Sequence, residues 1–213
     1  EFQGKRLAIT ICEDVWNLCD RRYPSDPLEE IMELQPDLLI NLSASPWHLN
    51  KEEQRKDLLR KVVEKVQCPV SYVNAVGGND ELIFDGHSMS FDRNGDLITQ
   101  SSSFQECIEV HDLGDSPIFE NQEVEMMESL RKALVLGIRD YAGKSGFSKG
   151  LVGLSGGIDS AVTAALAVEA LGPGQVIGIS LPSSISSGHS KDDARDLADN
   201  LGIEFHTLPI QPI

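Results

Sequence analysis

The chain has 213 residues and a formal net charge of −16 at pH 7; 40% of its residues are hydrophobic and 24% are charged. These values are typical of a globular protein with one large or two small domains. The negative charge argues against nucleic-acid binding, because neutralising phosphates needs clustered Lys and Arg. The sequence has neither an apolar run long enough to cross a membrane nor a signal-peptide core, so we expect no membrane partner.

The cysteines indicate the compartment. All four are scattered without CxxC spacing, which argues against a zinc site and against a disulfide framework. A reducing cytoplasm is the default for such a chain, and it is the location that we expect.

The first half of the sequence alternates strand-like and helix-like segments. Asp26 is predicted to cap a helix that has Pro27 at its first position and Glu29 at its third. An Asn-Gly pair between two apolar runs predicts a hairpin. The other predicted elements are strands at Leu7–Ile11, Asp37–Leu42, Val70–Val76 and Gln105–His111, hairpin strands at Gly86–Phe91 and Leu97–Ser101, and a helix at Lys51–Gln67 with Leu58, Leu59, Val62, Val63 and Val66 on one face.

The second half begins after a polar stretch with Gly and Pro, which predicts a linker at residues 114–120. A long amphipathic helix is predicted from Asn121 to Lys144. Its apolar side, assigned to the core, consists of Met126, Met127, Leu130, Leu134, Ile138 and Tyr141. The remaining segments predict the start of a doubly wound parallel sheet: strand Leu151–Leu154, helix Ile158–Leu171, strand Val176–Ser180, helix Lys191–Leu201 and strand Ile203–Leu208.

A glycine-rich segment joins the first of these strands to the first of these helices. Its glycines let the backbone approach a ligand closely, and the N–H groups of the first helical turn favour an anion. The carboxylate of Asp159 would repel a bare phosphate, which suggests a bound Mg²⁺. The sequence therefore predicts a nucleotide-phosphate site formed by Gly153, Leu154, Ser155, Gly156, Gly157, Ile158, Asp159 and Ser160.

This loop lacks the Gly-Lys-Ser/Thr ending of a Walker A motif. Ser155-Gly156-Gly157-Ile158-Asp159-Ser160 instead resembles the SGGxDS loop of the N-type ATP pyrophosphatases. The resemblance implies cleavage of ATP between its α- and β-phosphates, transfer of AMP to an acceptor, and a role for Asp159 in holding Mg²⁺. An ordinary strand–turn–helix connection capped by Ser or Asp is the structural alternative.

A second candidate site is the cysteine that follows the first strand. Cys12 comes directly after Ile11 and is followed by two acidic residues. A thiol at a strand end acts as a nucleophile when a base takes its proton or lowers its pKa. On chemistry alone, however, a lone cysteine beside an apolar strand is more often a small buried hydrophobe.

The motifs around Cys12 favour the nucleophile. Ile11–Trp16 (ICEDVW), Asn41–Pro46 (NLSASP) and Gly77–Gly86 (GGNDELIFDG) are similar to the nitrilase-type amidases and, more narrowly, to the glutaminase domain of the glutamine-dependent NAD⁺ synthetases. The second half resembles the synthetase domain of the same family. Its matching segments are Asp140-Tyr141, Lys144–Phe147, Leu181–Ser183, Ser186–Ser190 and Asp192–Ala194.

This resemblance implies an α/β fold in two parts. Residues 1–113 correspond to the C-terminal part of a nitrilase-like αββα sandwich whose beginning is missing. Residues 121–213 correspond to the start of a doubly wound, parallel-sheet PP-loop synthetase domain whose end is missing. Neither end of the chain resembles a natural domain edge, so we expect a fragment of a longer polypeptide.

The resemblance also implies the reaction. Cys12 attacks the side-chain amide of glutamine and releases ammonia; ATP adenylates nicotinic acid adenine dinucleotide (deamido-NAD), and ammonia displaces AMP to give NAD⁺. The implied substrates are glutamine, ATP and deamido-NAD, and the implied metal is Mg²⁺. Glu13 and one of Ser43 or Ser45 fall near glutamine-binding positions. His189 either reaches ATP or the adenylate, or caps the helix that Ser190 begins.

The family pattern also requires a glutamate base and a lysine before the cysteine. Glu1, Lys5 and Arg6 do not lie in the matching context, so glutaminase activity of this chain by itself is expected to be feeble or absent. Two alternatives stay open: another PP-loop amidotransferase with a different acceptor, and an ATP-binding protein without catalytic activity. The acidic balance and the interrupted domains favour a homo-oligomer.

Overall fold

The structure is a computed structural model that describes residues 1–20, 23–112 and 125–210. The chain divides into two compact units, one made of Glu1–Gly77 with the residues from Leu82 to Leu130, the other of Gly78–Glu81 with the residues from Arg131 onward. The predicted linker at 114–120 and the predicted helix start at Asn121 lie outside the described residues. The domain limits 1–113 and 121–213 therefore stay a prediction.

The first unit is built on a mixed β-sheet. From residue 1 to residue 112 the elements are β1 (Leu7–Ile11), a 3-10 helix (Cys12–Val15), α1 (Asn17–Asp20), α2 (Pro27–Leu34), β2 (Leu38–Ser43), α3 (Lys51–Val66), β3 (Val70–Asn74), β4 (Val76–Asn79), β5 (Leu82–Asp85), β6 (Met89–Phe91) and β7 (Leu97–Gln100). The large sheet has the order β1-β2-β3-β6-β7, and β4 pairs with β5 separately. β1, β2 and β3 are parallel, while β6 and β7 continue antiparallel. The parallel pairs need crossovers, which the helices between these strands supply.

The core of this unit contains one face of α3. The predicted apolar face is confirmed, because all five of its residues are buried and belong to one cluster with Leu39, Val70 and Tyr72 of the sheet. Burial of such a face contributes roughly 1.5–3 kcal/mol for each large aliphatic side chain. This packing fixes α3 on one face of the sheet.

Three predicted strands of the first half need correction. The hairpin strand predicted at Gly86–Phe91 begins only at Met89. Residues 105–112 form no regular element, and the side chains of Ile108 and Val110 are each 96% exposed. The predicted strand at Val70–Val76 ends at Asn74, and Val76 begins β4 instead. At residues 105–112 and at Val76 the apolar pattern is compatible with the predicted strand. A strand also requires a pairing partner, and the local sequence does not identify that partner.

The second unit contains a three-stranded parallel sheet, as predicted. Its elements are α4 (Met126–Lys144, the described part of the predicted helix, of which the residues from Arg131 onward belong to this unit), β8 (Gly150–Gly153), α5 (Ile158–Leu171), a 3-10 turn (Pro173–Gln175), β9 (Val176–Ser180), α6 (Gly188–Leu201) and β10 (Glu204–Thr207). The sheet order is β10-β9-β8. The core consists of Leu154, Ala164, Ala167, Val176, Ala194, Ala198 and Ile203. Within the described chain, no helix is both long and apolar enough to cross a membrane.

The predicted apolar side of α4 is wrong. Its buried residues are Ala133, Val135 and Leu136, whereas four of the predicted core residues are 40–59% exposed: Met126, Met127, Leu134 and Tyr141. One close contact of α4 is with a glycine. Gly78 lies so close that a Cβ on it would be 3.3 Å from Cα of Gly137, and its N–H donates to Oδ2 of Asp140 at 2.7 Å.

Candidate active sites

The glycine-rich loop lies between β8 and α5, as predicted. Gly156 has a φ of +82°, and a Cβ at this position would be 2.4 Å from the carbonyl oxygen of Ser190 in the first turn of α6. Only glycine fits there, because both the backbone conformation and the space exclude a side chain. Gly157 then caps α5 in an extended conformation. The backbone of the loop at Gly156 therefore directly contacts the first turn of α6.

Two serine hydroxyls hold the loop in shape. The hydroxyl of Ser155 accepts the N–H of Gly157 at 3.2 Å, and the hydroxyl of Ser160 accepts the N–H of Ser155 at 3.2 Å. Ser160 also donates to the carbonyl of Gly157 at 2.9 Å. These bonds place several polar groups and the positive end of the α5 dipole on one turn, which is the arrangement that favours an anion.

A cavity of about 300 Å³ lies at the carboxyl ends of β8 and β9. The loop contributes Gly153, Leu154 and Ser155 to its wall, while Gly156–Ser160 are not among the lining residues. Ligands of open α/β sheets bind at this edge. The remaining wall residues are Ile179, Ser180, Leu181, Pro182, Ser186, Ser190 and Lys191.

Lys191 is the residue that the sequence interpretation missed at this site. It lies in the first turn of α6 and supplies the cavity with a positive charge. The sequence signal that could have identified it is a lysine at the start of the helix that follows the second strand of this unit. A cation there fits a polyphosphate ligand.

Asp159 lies exposed in the first turn of α5. The described residues contain no group of three or more His, Cys, Asp or Glu side chains that could hold a metal by themselves. Mg²⁺ is ordinarily held by one or two carboxylates together with substrate phosphates and waters, so a single exposed carboxylate on a phosphate loop fits it.

His189 is exposed in the first turn of α6 and does not line the cavity. The alternative in which Ser190 begins the helix is wrong, because α6 begins at Gly188 and its cap is Ser187. The hydroxyl of Ser187 accepts the N–H of Ser190 at 3.1 Å. An uncharged hydroxyl is sufficient to cap this helix.

Cys12 lies where β1 turns into the 3-10 helix. Its φ is +46°, which is unusual for a residue with a side chain, and it is only partly exposed. The N–H of the preceding residue, Ile11, donates to Oδ2 of Asp14 at 2.8 Å, which tightens this turn. A left-handed backbone at a residue other than glycine is a form of local strain that clusters at functional sites.

A cavity of about 480 Å³ opens beside Cys12. Glu13 and Trp16 of the same turn line it, and the hydroxyl of Tyr23 donates to the Glu13 carboxylate at 3.2 Å. Nζ of Lys51 lies 3.9 Å from the ring centroid of Trp16. The other lining residues are Ser45, Pro46 and His48 together with Gln54, Asp57, Leu58 and Lys61 of α3. Lys51 was not identified from the sequence, because α3 was interpreted only through its apolar face.

The structure separates the two serines that the sequence left open. Ser45 lines the Cys12 cavity. Ser43 is absent from that wall, and its hydroxyl donates to Oδ1 of Asn41 at 2.6 Å. Asn41 in turn donates to the hydroxyl of Thr10 at 3.0 Å. Ser43 therefore takes part in a hydrogen-bond chain within the sheet, and of the two serines Ser45 is the one that lines the cavity.

Comparison with known proteins gives consistent matches for both halves. Residues 130–213 match the family model for NAD synthase. The whole chain is 42% identical to the glutamine-dependent NAD(+) synthetase of Synechocystis sp. and spans 40% of that protein. It is 37% identical to the glutamine-dependent NAD(+) synthetase of Aquifex aeolicus and spans 43% of it.

A solved structure matches nearly all of the chain. It is the glutamine-dependent NAD+ synthetase from Acinetobacter baumannii in complex with ADP, which is 32% identical with a TM-score of 0.89 over 99% of this chain and 40% of its own. The predicted α/β fold class is thereby confirmed. The chain spans about 40% of the length of the relatives that it matches. In sequence and in fold, the chain is similar to this part of the glutamine-dependent NAD(+) synthetases.

Proposed function

We propose that the full-length protein that carries this chain converts deamido-NAD to NAD⁺ with ATP and with ammonia taken from glutamine. The observation that carries this proposal is that one chain holds both a strained strand-end cysteine in a charged cavity and a glycine-rich anion loop. An amidating ligase that uses glutamine needs both, because it must break an amide bond and also activate a carboxylate. The relatives support the same combination.

In the glutamine half, the Cys12 thiolate attacks the carbon of the side-chain amide. The C–N bond breaks, the nitrogen leaves with an added proton as ammonia, and water then hydrolyses the thioester to glutamate. The cavity contains the acidic Glu13 and the basic Lys51, which provide the two charges that a zwitterionic amino acid needs. We assign Glu13 to the α-ammonium group, and Lys51 with Ser45 to the α-carboxylate.

In the ATP half, the Gly153–Ser160 loop binds the phosphates. The carboxylate of deamido-NAD attacks the α-phosphorus, and the bond to pyrophosphate breaks. Loop N–H groups, the hydroxyls of Ser155 and Ser160, and Lys191 stabilise the charge that develops on the leaving group. Ammonia then displaces AMP from the acyl-adenylate. Asp159 would hold Mg²⁺, which when bound neutralises phosphate charge.

Exchange of labelled pyrophosphate into ATP tests the adenylation step in the full-length protein. We expect exchange that requires deamido-NAD and that falls by at least about a hundredfold in Asp159→Ala, as for loss of a group that stabilises transition-state charge. Asp196→Ala, an exposed carboxylate of α6, is the matched control. Exchange supported by another acceptor would favour a different amidotransferase. Absence of exchange in a protein shown to bind ATP would favour the non-catalytic alternative.

A cysteine substitution tests the glutamine half separately. Cys12→Ser should lower the rate of NAD⁺ formation with glutamine by about a thousandfold or more, because the nucleophile is lost. The rate with added ammonium salt should be unchanged. NAD⁺ is measured with each nitrogen source in turn. Equal loss with both sources would show that Cys12 acts through the structure and is not the nucleophile.

The expected assembly and location belong to this proposal. We expect a homo-oligomer, and a monomeric mass in light scattering would contradict this. A cytoplasmic location fits an enzyme that consumes ATP and whose described cysteines, Cys12, Cys68 and Cys107, are free thiols.

A further inference from the structure

A closed ring of hydrogen bonds surrounds the backbone of Ser45. Its N–H donates to Oδ1 of Asn74 at 2.9 Å, and Nδ2 of Asn74 donates to Oδ1 of Asp85 at 3.3 Å. Asp85 accepts both terminal nitrogens of Arg55, at 2.8 and 2.7 Å. Nη2 of Arg55 then donates back to the carbonyl of Ser45 at 3.2 Å. Three side chains from three elements thus hold both backbone polar groups of Ser45, its N–H and its carbonyl.

The ring is buried throughout. The exposed fractions are 0% for Arg55, 1% for Asp85, 3% for Ser45 and 6% for Asn74. Burial by itself would lower the pKa of Arg55, but the Asp85 carboxylate raises it above its usual value. A buried ion pair adds little net stability over apolar packing, because desolvation offsets the attraction. The pair is better explained by specificity, because a closed ring of buried hydrogen bonds specifies one local geometry.

The position of the ring indicates what that geometry serves. Ser45 lines the cavity of Cys12, and Arg55 belongs to α3, which supplies Lys51, Gln54 and Leu58 to the same wall. Asn74 ends β3, and its own N–H donates to the hydroxyl of Ser88 at 3.0 Å. The ring therefore ties the segment after β2 to α3 and to β3, and so sets the distance between two walls of the cavity.

We propose that Asn74, Asp85 and Arg55 are positioning residues that hold Ser45 against α3 and thereby set the fit of glutamine beside Cys12. They touch neither the thiol nor its turn, so the intrinsic reactivity of Cys12 does not depend on them. The proposal rests on the proposed function in that it names glutamine as the occupant.

The first test compares Asn74→Ala with the wild type in the full-length protein. This substitution removes the acceptor of the Ser45 N–H. KM for glutamine should rise by about tenfold and kcat should stay within about threefold, because roughly one buried hydrogen bond that positions the bound substrate's pocket is lost. Alkylation of Cys12 by iodoacetamide should proceed at the wild-type rate. Ser71→Ala is the matched control, because Ser71 lies on the same strand and its hydroxyl is 2.9 Å from that of Ser90, outside the ring around Ser45.

A second variant covers the case in which Asn74→Ala does not fold. Arg55→Lys keeps the positive charge beside Asp85, but an ammonium group lacks the fork that reaches both Asp85 and Ser45. We expect the same rise in KM in a folded protein, as judged by circular dichroism. Any of three results would overturn the proposal. They are an unchanged KM in a folded variant, an equal rise of KM in Ser71→Ala, and a slowing of Cys12 alkylation large enough to account for the lost activity.

Hydrogen exchange at the Ser45 amide separates this proposal from the proposed function. It should be faster in Asn74→Ala than in the wild type and unchanged in Ser71→Ala, whatever the protein's substrate. A wild-type protein that does not hydrolyse glutamine overturns the proposed function and the glutamine part of this inference. Unchanged exchange in Asn74→Ala overturns the positioning role itself.

Discussion

Two residues of the candidate sites adopt a left-handed backbone, and they do so for different reasons. At Gly156 there is no room for a side chain, because the loop touches the backbone of Ser190. At Cys12 a side chain is present despite the strain, at the point where the chain leaves a strand. At Gly156 the conformation is required by the lack of space. At Cys12 it costs roughly 1–2 kcal/mol of backbone strain, and this is the residue to which we assign the role of nucleophile.

The first prediction concerns the loop glycine. Gly156→Ala puts a Cβ 2.4 Å from the Ser190 carbonyl oxygen at a φ of +82°, so the loop must move away from α6. We expect at least about a tenfold loss of ATP affinity, equivalent to 1.4 kcal/mol, in isothermal titration calorimetry. Gly143→Ala is the control, since nothing lies within 4 Å of a Cβ at that position in α4. Unchanged affinity in Gly156→Ala would mean that the loop does not bind the phosphates.

At the scale of the element, local signals predicted helices better than strands. The cap at Asp26 is confirmed, because its Oδ1 accepts the N–H of Leu28 at 3.0 Å and Pro27 is the first helical residue. The apolar face of α3 is confirmed as well. The predicted strand at Gln105–His111 is wrong, because a strand exists only through a partner that local sequence does not name.

The second prediction separates two roles of Asp26. Its Oδ2 also contacts Nζ of Lys65 in α3 at 2.5 Å. Asp26→Ala should lower the free energy of unfolding by about 1–2 kcal/mol, because the cap and the ion pair are both lost. Asp26→Asn keeps the cap and should cost only about 0.5 kcal/mol in urea denaturation. Equal losses in the two variants would show that the ion pair, and not the cap, carries the effect.

At the scale of the whole molecule, one carboxylate makes stability depend on pH. Burial would raise the pKa of Glu52, but hydrogen bonds and charge from His87 and Lys56 outweigh this and lower it from 4.5 to about 2. His87 Nδ1 lies 3.2 Å from Oε2 of Glu52, and Nζ of Lys56 lies 3.0 Å from its Oε1. Because the folded pKa is the lower one, the stabilisation is complete above 4.5 and is lost as the pH falls towards 2.

The third prediction follows from this sign. The wild type should lose roughly 3 kcal/mol of unfolding free energy through Glu52 between about pH 5 and pH 2. Glu52→Gln should flatten that part of the profile. Glu53→Gln is the control, because Glu53 contacts the same Lys56 at 3.2 Å but is 66% exposed. Profiles of the same slope for wild type and Glu52→Gln would contradict the assigned pKa.

The fourth prediction concerns the open face of the first sheet. Ile11, Leu42 and Val73 are neighbours on β1, β2 and β3, with exposed fractions of 66%, 48% and 48%. Parallel strands are ordinarily covered on both faces. The chain expressed by itself should therefore bind the apolar dye ANS, and Ile11→Lys with Val73→Lys should remove most of that fluorescence. Ile108→Lys, at an isolated exposed position, is the control; equal loss there would refute the assignment to this face.

The sequence by itself determined the helix cap at Asp26, the glycine loop, the strand-end cysteine and the family resemblance, because turn chemistry, periodicity and motifs are local. Only the tertiary structure decided that Ser45 and not Ser43 lines the Cys12 cavity, and that Lys51 and Lys191 reach the two sites. It also decided the ring around Ser45, whose partners lie 10 to 30 residues apart in sequence. The physical reason is that burial and hydrogen-bond partners arise only when distant segments pack, and no local pattern encodes which segments meet.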